Sequence, residues 1–304
     1  MKKHLTSLFE FNGAELAAYI DRAIVLKRER LEGLRHDGLD GKTVGLVFEK
    51  PSTRTRVSFE AAMYGMGGKV IYLSGRDTQL ARNEPLKDMA RVMSRYVDCL
   101  VVRTFGQEVV DELAQHSTIP VINALTDTHH PCQILSDIMT ILEKRGPLTD
   151  QKIVWVGDGN NMAHSWIQAA CRMGFSLTLA CPKGYEPDAE ILIRAQKQAV
   201  KPITLVEDPE EAVAEADVIN TDVWASMGKE DEQDIRLAIF QPYQVNRHLL
   251  KRAKNNTIVL HCLPAHRGEE ITEEVLEGPQ CVAFDQAENK MHIHKAILEK
   301  HILG

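Results

Sequence analysis

The segment from Glu49 to Arg56 places hydroxyl and guanidinium groups directly after an apolar run and directly before a helical pattern. The N–H groups at a helix start, the hydroxyls of Ser52 and Thr53, and the guanidinium of Arg54 together suit a phosphate dianion. For this segment taken alone, an N-capped helix with surface arginines is the alternative. The residue types therefore indicate an anion site that the neighbouring segments must support.

Two further polar positions follow apolar runs in the same half of the chain. Arg103 ends the run 99–102, and His130 and Gln133 lie about one turn apart at a helix start marked by Pro131. A single arginine or histidine is more often a surface or structural residue. Because the carboxyl ends of parallel strands share one edge, these positions favour a common site with the segment after residue 48.

The second half of the chain carries groups of the opposite character. Asp222 and Cys262 each follow an apolar run, and a carboxylate such as Asp222 can hold an ammonium group. Cys262 alone would be interpreted as a packing residue, but the nearby Asp222 favours a site. Asn160 and Asn161 follow another run and can supply amide groups to a carboxylate. These residues indicate an amine or amino-acid site.

Such positions need a scaffold that brings strand ends together. From residue 43 onward, short runs rich in Val, Ile and Leu alternate with segments of helical period, which is typical of βαβ units. The pattern predicts an α/β protein with two doubly wound parallel-sheet domains and a cleft between them. The predicted strands are 43–48, 70–73, 99–102, 120–122, 152–156, 176–180, 203–206, 217–220, 257–260 and 281–283.

The length of 304 residues also favours two domains, at roughly 100 to 200 residues each. Lys144-Arg145-Gly146-Pro147 is a strong helix-stop signal, so we place the domain junction there. We expect a first domain at 1–147, a second at 148–285, and a C-terminal helix at 286–304 that packs back on the first. Asn12 with Glu15 predicts a capped helix near the start of the chain.

Composition excludes several classes of protein. The net charge is −7 and the basic residues are scattered, so no nucleic-acid partner is expected. No apolar stretch approaches the roughly 18 residues of a membrane span, and no signal peptide is recognised, so we expect a soluble protein. Six cysteines without a C-x-x-C pair fit reduced thiols in the cytoplasm.

Cofactor and metal sites are not predicted either. The strand at 152–156 runs into Gly157-Asp158-Gly159, but Met162 replaces the third glycine of a dinucleotide-binding fingerprint. His292 and His294 lie two positions apart on a predicted helix, so they point in different directions and cannot share one ion. We therefore expect no cofactor and no metal. A non-enzymatic binding protein remains an alternative.

Five motifs are spread over nearly the whole chain. They are S-T-R-T-R at 52–56, H-P-C-Q at 130–133, G-D-G-N-N at 157–161, D-x-x-x-S-M-G at 222–228 and H-C-L-P at 261–264. In these motifs and in their order the sequence resembles the ornithine carbamoyltransferases, which belong to the aspartate/ornithine carbamoyltransferase superfamily. The first two motifs imply carbamoyl phosphate, and the last two imply ornithine.

The resemblance implies a transferase that moves the carbamoyl group of carbamoyl phosphate to the δ-amine of L-ornithine, giving L-citrulline and phosphate. This is a step of arginine biosynthesis or of a urea-cycle type of arginine metabolism. By the same resemblance, residues 1–147 bind carbamoyl phosphate, residues 148–285 bind ornithine, and the chain forms a homotrimer or a multiple of trimers. Putrescine or another amine is the alternative acceptor.

The resemblance also assigns site residues. The residues implied to be catalytic are Arg54, Arg103, His130 and Cys262. Those implied to bind carbamoyl phosphate are Ser52, Thr53, Arg54, Thr55, Gln79, Arg103, His130, Gln133, Cys262, Leu263 and Lys290. Those implied to bind ornithine are Asn161, Asp222, Ser226 and Met227. Gln79 matches a family position that reaches into a neighbouring subunit's site. Lys290 stands where the family usually has arginine, so the planar two-pronged donor is lost.

Overall fold

The computed structural model describes residues 4–75, 84–225 and 233–304. The chain forms two compact units, one of residues 1–136 with 288–304 and the other of residues 137–287. The boundaries between these units fall inside two helices, Pro131–Arg145 and Ala283–Leu303. The predicted junction after residue 147 lies just past the end of the first of these helices.

The first unit is built on a parallel sheet. In the described residues its strands are β1 (Thr43–Phe48), β2 (Lys69–Ser74), β3 (Cys99–Arg103) and β4 (Val121–Leu125). They lie in the order β2-β1-β3-β4. The central strands β1 and β3 are buried along nearly their whole length, because helices cover both faces of such a sheet. This burial explains why both strands appear in the sequence as continuous apolar runs.

Helices alternate with these strands. They are α1 (Gly13–Leu31), α2 (Thr53–Tyr64), α3 (Leu86–Met93), α4 (Gln107–His116) and α5 (Pro131–Arg145). The predicted capping box is confirmed, since Glu15 N–H donates to Asn12 Oδ1 at 2.9 Å and Asn12 N–H donates to Glu15 Oε2 at 2.8 Å. Met89 and Leu113 pack against Val47 and Val102, so α3 and α4 share one core with β1 and β3.

The second unit has its own parallel sheet. In the described residues its strands are β5 (Ile153–Val156), β6 (Leu177–Ala180), β7 (Ile203–Val206), β8 (Val218–Thr221) and β9 (Ile258–His261). They lie in the order β7-β6-β5-β8-β9. The helices are α6 (Asn161–Met173), α7 (Ala189–Gln198), α8 (Pro209–Val213), α9 (Gln233–Phe240), α10 (Arg247–Leu250) and α11 (Glu273–Leu276). The last helix, α12 (Ala283–Leu303), begins here and continues into the first unit.

Each sheet has one point at which the strand order reverses. It lies between β1 and β3 in the first unit and between β5 and β8 in the second. In open parallel sheets, ligands bind beyond the carboxyl ends of the strands at this reversal. Short 3-10 helices at Leu8–Glu10, Leu148–Asp150 and Gln241–Tyr243 complete the described secondary structure.

The two parallel-sheet units confirm the predicted fold class, and nine of the predicted strands are present with shifts of one or a few residues at their ends. The predicted strand at 281–283 is wrong. Cys281 forms one isolated bridge with Val259, and α12 begins two residues later at Ala283, so the apolar run continues as a helix. In the described residues, no helix is both long and apolar enough to span a bilayer.

Candidate active site

The start of α2 lies at the carboxyl edge of the first sheet. Ser52 is extended and caps the helix, with Ser52 Oγ accepting from Thr55 N–H at 3.3 Å. The first turn of α2 carries no acidic residue, so the positive end of the helix is not neutralised by its own side chains. Thr53 and Arg54 are exposed on this first turn, whereas Thr55 is buried. The predicted phosphate-binding segment therefore presents both N–H groups and side chains at this edge.

Arg103 ends β3 at the same edge. It is the strand partner of Phe48 on β1 and of Leu125 on β4, so the ends of three strands lie side by side. After β4 the chain turns through Thr126, whose Oγ1 accepts from His129 N–H at 3.0 Å. This turn leaves His130 just beyond β4, at the start of α5.

The loops after β1 and β4 are also tied together by Lys50. Its buried ammonium forms an ion pair with Asp127 and lies 4.4 Å from the centre of the Phe105 ring. The position of Ser52, two residues later, is thereby fixed relative to the turn that precedes His130. This contact was not predicted, because the three residues are distant in sequence.

Lys290 of α12 reaches the same edge, since its Nζ donates to Thr55 Oγ1 at 3.3 Å. Arg103 and Lys290 are each only 6% exposed, and two buried cations at one sheet edge favour an anionic ligand. Burial lowers the pKa of His130 well below its usual value, and the charges of Lys290 and Arg103 lower it further. His130 is therefore neutral and can donate one N–H to a carbonyl oxygen.

A second contact between α2 and α12 lies one turn along from Thr55 and Lys290. The rings of Phe59 and His294 are stacked, with centroids 3.6 Å apart and planes within 9°. Both contacts use positions four residues apart, so one face of α2 matches one face of α12. The stack sets the helix spacing at which Lys290 meets Thr55. His294 was considered in the sequence only as a metal ligand, and this packing role was missed.

The first unit thus collects most of the predicted carbamoyl phosphate residues. Ser52, Thr55, Arg103, His130 and Lys290 lie together at one sheet edge. Gln133 is buried in the first turn of α5. Gln79 lies outside the described residues.

In the second unit, Asp222 follows β8 beside the point of strand-order reversal. Cys262 Sγ donates to Asp222 Oδ1 at 3.0 Å, and Asn160 Nδ2 donates to Asp222 Oδ2 at 3.4 Å. Asp222 is buried, so these contacts orient a carboxylate whose remaining lone pairs can accept from an ammonium group. Asn161, the predicted ligand, is half-buried at the first position of α6, and its neighbour Asn160 caps that helix.

The turn that carries Cys262 and Leu263 is held in place by the buried side chains of His261 and Glu270. Leu263 has a φ of 56°, a region that side-chain-bearing residues seldom adopt, so its surroundings must hold it there. Leu263 N–H donates to His261 Nδ1 at 2.9 Å, and His261 Nε2–H donates to Glu270 Oε1 at 2.8 Å. His261 and Glu270 are completely buried. Together they fix the position of the Cys262 thiol beyond β9.

Two further sets of buried side chains support this edge, and sequence reasoning missed both. His261 N–H donates to Gln286 Oε1 at 3.0 Å, and Gln286 Nε2 donates to Asp137 Oδ1 at 2.6 Å. Arg236 of α9 donates to Asp158 Oδ2 at 3.1 Å and to the carbonyl of Trp224 at 2.8 Å. The second set flanks Asp222 from both β5 and the loop after β8. Ser226 and Met227 lie outside the described residues.

Two groups in the described residues bring possible metal ligands within 4.8 Å of one another. They are Asp222, His261 and Cys262, and His266, Glu269 and Glu270. Both ring nitrogens of His261 already take part in hydrogen bonds to Leu263 and Glu270. The first group is therefore arranged as a hydrogen-bond network around a carboxylate.

Two doubly wound sheets, one ending in cationic groups and the other in a carboxylate, define an α/β protein that offers one site for an anion and one for an amine. The carbamoyl-P binding domain of aspartate/ornithine carbamoyltransferases matches residues 3–143, and their Asp/Orn binding domain matches residues 149–300. The chain belongs to the aspartate/ornithine carbamoyltransferase family.

Individual relatives are similar over almost their whole length. The ornithine carbamoyltransferase of Desulfotalea psychrophila is 71% identical, covering 99% of this chain and 100% of the relative. The anabolic ornithine carbamoyltransferase of Pseudomonas aeruginosa is 50% identical, covering 98% and 96%. Among solved structures, the ornithine carbamoyltransferase of Pyrococcus furiosus superposes with a TM-score of 0.95 at 47% identity, covering 97% of this chain and 96% of that one.

Proposed function

We propose that the chain transfers the carbamoyl group of carbamoyl phosphate to the δ-amine of L-ornithine and releases L-citrulline and phosphate. The observation that carries this proposal is the convergence of Arg103, His130 and Lys290 with the capped start of α2 at one sheet edge. Hydroxyl, guanidinium and ammonium groups in this arrangement suit a phosphate dianion with an attached carbonyl.

The chemistry is the attack of an uncharged amine on the carbamoyl carbon. A C–N bond forms, the carbonyl oxygen gains negative charge, and the C–O bond to the phosphate then breaks. Arg54, Arg103 and His130 are the proposed donors to that oxygen, and losing one such donor typically costs about 100 to 1,000 fold in rate. Ser52, Thr53, Thr55, Gln133 and Lys290 complete the proposed phosphate site, together with Gln79.

The acceptor site is proposed around Asp222. Its carboxylate, held by Cys262 and Asn160, accepts from the amino groups of ornithine, while Asn161, Ser226 and Met227 contact the rest of that ligand. Cys262 and Leu263 are proposed to contact carbamoyl phosphate. The δ-ammonium must lose a proton before attack. That first proton passes to solvent. Asp222 and Cys262 orient the nitrogen, and after the attack the departing phosphate takes up the second proton that this nitrogen loses.

One assay tests the acceptor directly. Purified protein is given carbamoyl phosphate with ornithine, putrescine, aspartate or N-acetylornithine, and phosphate release is measured with identification of the carbamoylated product. We expect citrulline from ornithine to form far faster than any other product. Faster turnover of putrescine would overturn the proposal, and the relatives named above give no support to that alternative. Absence of any product would favour a non-enzymatic binding protein.

We further propose that the chain works in the cytoplasm as a homotrimer or a multiple of trimers, in arginine biosynthesis. None of the six cysteines, all of which lie in the described residues, forms a disulfide, and burial raises the pKa of Cys132 to about 12, which fits structural thiols in a reducing compartment. A shared site that takes Gln79 from a neighbouring subunit can be tested by mixing Arg54→Ala and Gln79→Ala chains. Hybrid oligomers should regain activity that neither variant has alone, and a lack of recovery would contradict site sharing.

A further inference from the structure

A cavity of about 330 Å³ opens in the first unit at the far end of α2 from Ser52. We call it the amino-edge cavity and define it by Arg30, Arg35, His36, Tyr64, Gly65 and Lys295. At about 1.5 Å per residue, the length of α2 separates it from the candidate active site by roughly 18 Å. Its volume falls within the range that small-molecule ligands occupy.

The amino-edge cavity gathers positive charge. Arg30, Arg35 and Lys295 all line it, no carboxylate does so among the described residues, and none of the three forms an ion pair within that part of the chain. Arg30 donates to Met291 Sδ, a weak acceptor, at 2.6 Å. In a chain with 43 acidic and 36 basic residues, this grouping is a marked local excess of cations.

Acidic compensation is confined to one side of the amino-edge cavity. Glu29 Oε2 lies 3.4 Å from His36 Nε2, and the same oxygen lies 3.6 Å from the guanidinium of Arg22. That carboxylate is therefore shared with a residue that does not line the cavity. Among the described residues, no carboxylate pairs with Arg30, Arg35 or Lys295.

Lys295 provides an independent observation. It is 2% exposed, and within the described ranges its ammonium has no hydrogen-bond or ion-pair partner. The ammonium lies against Gly65, where an added Cβ would be 3.1 Å from Nζ, so the missing side chain leaves room for it in the cavity wall. Burial lowers the pKa of Lys295, and the charge of Arg30 lowers it further. The lysine is thus nearly buried as a residue while its ammonium lines a cavity without a protein partner, which leaves that charge available to an anionic ligand.

We propose that the amino-edge cavity is a second anion site, which binds a phosphate group between Lys295 and Arg30. The guanidinium offers two parallel N–H donors and the ammonium a point charge, a combination that phosphate oxygens accept well. Arg35 and His36 lie at the rim. Tyr64, which is 60% exposed, supplies an aromatic wall for an organic part of the ligand. Free phosphate and a phosphate monoester share this chemistry.

Binding of inorganic phosphate by isothermal titration calorimetry tests the site. The background is Arg54→Ala, which weakens phosphate binding at the candidate active site without changing a buried residue. We expect the Arg54→Ala background to bind phosphate. Adding Lys295→Met or Arg30→Ser should lower the affinity at least about tenfold, which is what the loss of one charge-assisted hydrogen bond costs. Lys300→Met, which removes an exposed ammonium from the same helix, should leave it unchanged.

Thermal unfolding gives a second readout. Without phosphate, Lys295→Met should unfold at the same or a higher temperature than its Arg54→Ala parent, because a mostly buried charge without a protein partner is removed. Added phosphate should raise the midpoint of this parent more than that of its Lys295→Met variant at the same concentration. The proposal is overturned if Lys295→Met and Arg30→Ser bind phosphate as the parent does, or if the Arg54→Ala background binds none.

The source of the phosphate group is resolved by repeating the titration with phenyl phosphate. If phenyl phosphate binds more tightly than inorganic phosphate and Tyr64→Ala removes that gain in affinity, the ligand is an organic phosphate. Equal affinities for the two would identify free phosphate. With Arg54 retained, the turnover of Lys295→Met with carbamoyl phosphate and ornithine should stay within about twofold of that of the unaltered chain, since the two sites are well separated. Failure of this site is therefore distinguishable from failure of the proposed function.

Discussion

The carboxyl edge of the first sheet collects Arg103 and Lys290, whereas that of the second sheet collects Asp222 with Cys262 and Asn160. Both edges lie at a reversal of strand order in a doubly wound sheet. The same topology therefore supplies a cationic site in one unit and an acidic site in the other. The residues that follow each strand, rather than the fold, decide which charge is bound.

The two edges also differ in how their groups are held. In the first unit, helix capping at Ser52 and the strand register of Arg103 place the groups through the backbone. In the second unit, a relay of side chains from Glu270 through His261 places the turn that carries Cys262. Single substitutions of supporting residues should therefore disturb the second edge more than the first.

The largest effect is expected for Arg54→Ala. Removing a donor to the developing oxyanion should lower kcat at least about 100 fold. The fold should be retained, because Arg54 is exposed. Steady-state kinetics and circular dichroism measure the two expectations. Arg56→Ala is the matched control, since that guanidinium pairs with Glu60 at 2.9 Å and lies 3.8 Å from the centre of the Tyr72 ring. Similar losses of kcat in both variants would contradict the assignment of Arg54 to the proposed site.

Asp222→Asn should act on the acceptor alone. Losing a charge-assisted contact of about 1.5 to 3 kcal/mol should lower kcat/KM for ornithine by roughly 10 to 150 fold. The KM for carbamoyl phosphate should change little, and initial-rate kinetics with each substrate varied will show the split. Asp188→Asn, at an exposed helix cap, is the control. Equal losses of kcat/KM for ornithine and for carbamoyl phosphate would contradict a separate acceptor role for the edge of the second sheet.

Acid should weaken the first unit before the second. Burial holds the pKa of His130 and His294 well below the usual value and lowers that of His292 to about 3. These folded-state values lie below the unfolded value near 6.5, so the unfolded chain binds more protons. The contribution to stability is complete above about pH 6.5 and falls by about 1.4 kcal/mol per histidine for each pH unit below it.

Urea unfolding at pH 7.5 and pH 5.5 measures this difference. The three tryptophans all lie in the second unit, so their fluorescence reports that unit while far-UV circular dichroism reports both. We expect acid to lower the circular dichroism midpoint more than the fluorescence midpoint, and His294→Leu to reduce the shift. Identical shifts by both probes would show that the first unit is not preferentially sensitive to acid.

The smallest effect is expected for Lys290→Arg. A guanidinium can add a second parallel donor to the phosphate, and one more hydrogen bond should lower the KM for carbamoyl phosphate by about 2 to 10 fold. The ornithine KM serves as the internal control. A raised KM for carbamoyl phosphate would show that the ammonium beside Thr55 is already the better fit for this chain.

Groups that follow a strand or start a helix could be predicted from the sequence, because their position depends on neighbours in the chain. Ser52, Arg103 and Asp222 are examples, and the capping box at Asn12 is another. Contacts between segments distant in sequence could not be predicted. The Phe59–His294 stack joins residues from two ends of the chain, and neither residue carries a local signal for the other.

The same reasoning accounts for the incorrect strand. The run 281–283 is apolar and β-branched at Val282, so periodicity over three residues cannot separate a strand from the start of a helix. The side chains of His261 and Glu270, which hold Leu263 at a positive φ, could not be predicted as a pair either, because no local sequence signal marks Glu270 as a partner of His261. Local signals thus indicated the positions of the proposed ligand-facing groups better than those of the residues that support them.

The C-terminal helix α12 is anchored at a point distant from the proposed site to which it contributes Lys290. Its last turns are fastened to α1 by a Tyr19–His301 hydrogen bond of 2.8 Å and by a two-pronged Arg22–Glu299 pair of 2.5 and 2.8 Å. Lys290 lies about two to three turns before these residues on the same helix. Trimming or tagging the chain at its final residues should therefore weaken the affinity for the carbamoyl donor, although no residue of the proposed site is altered.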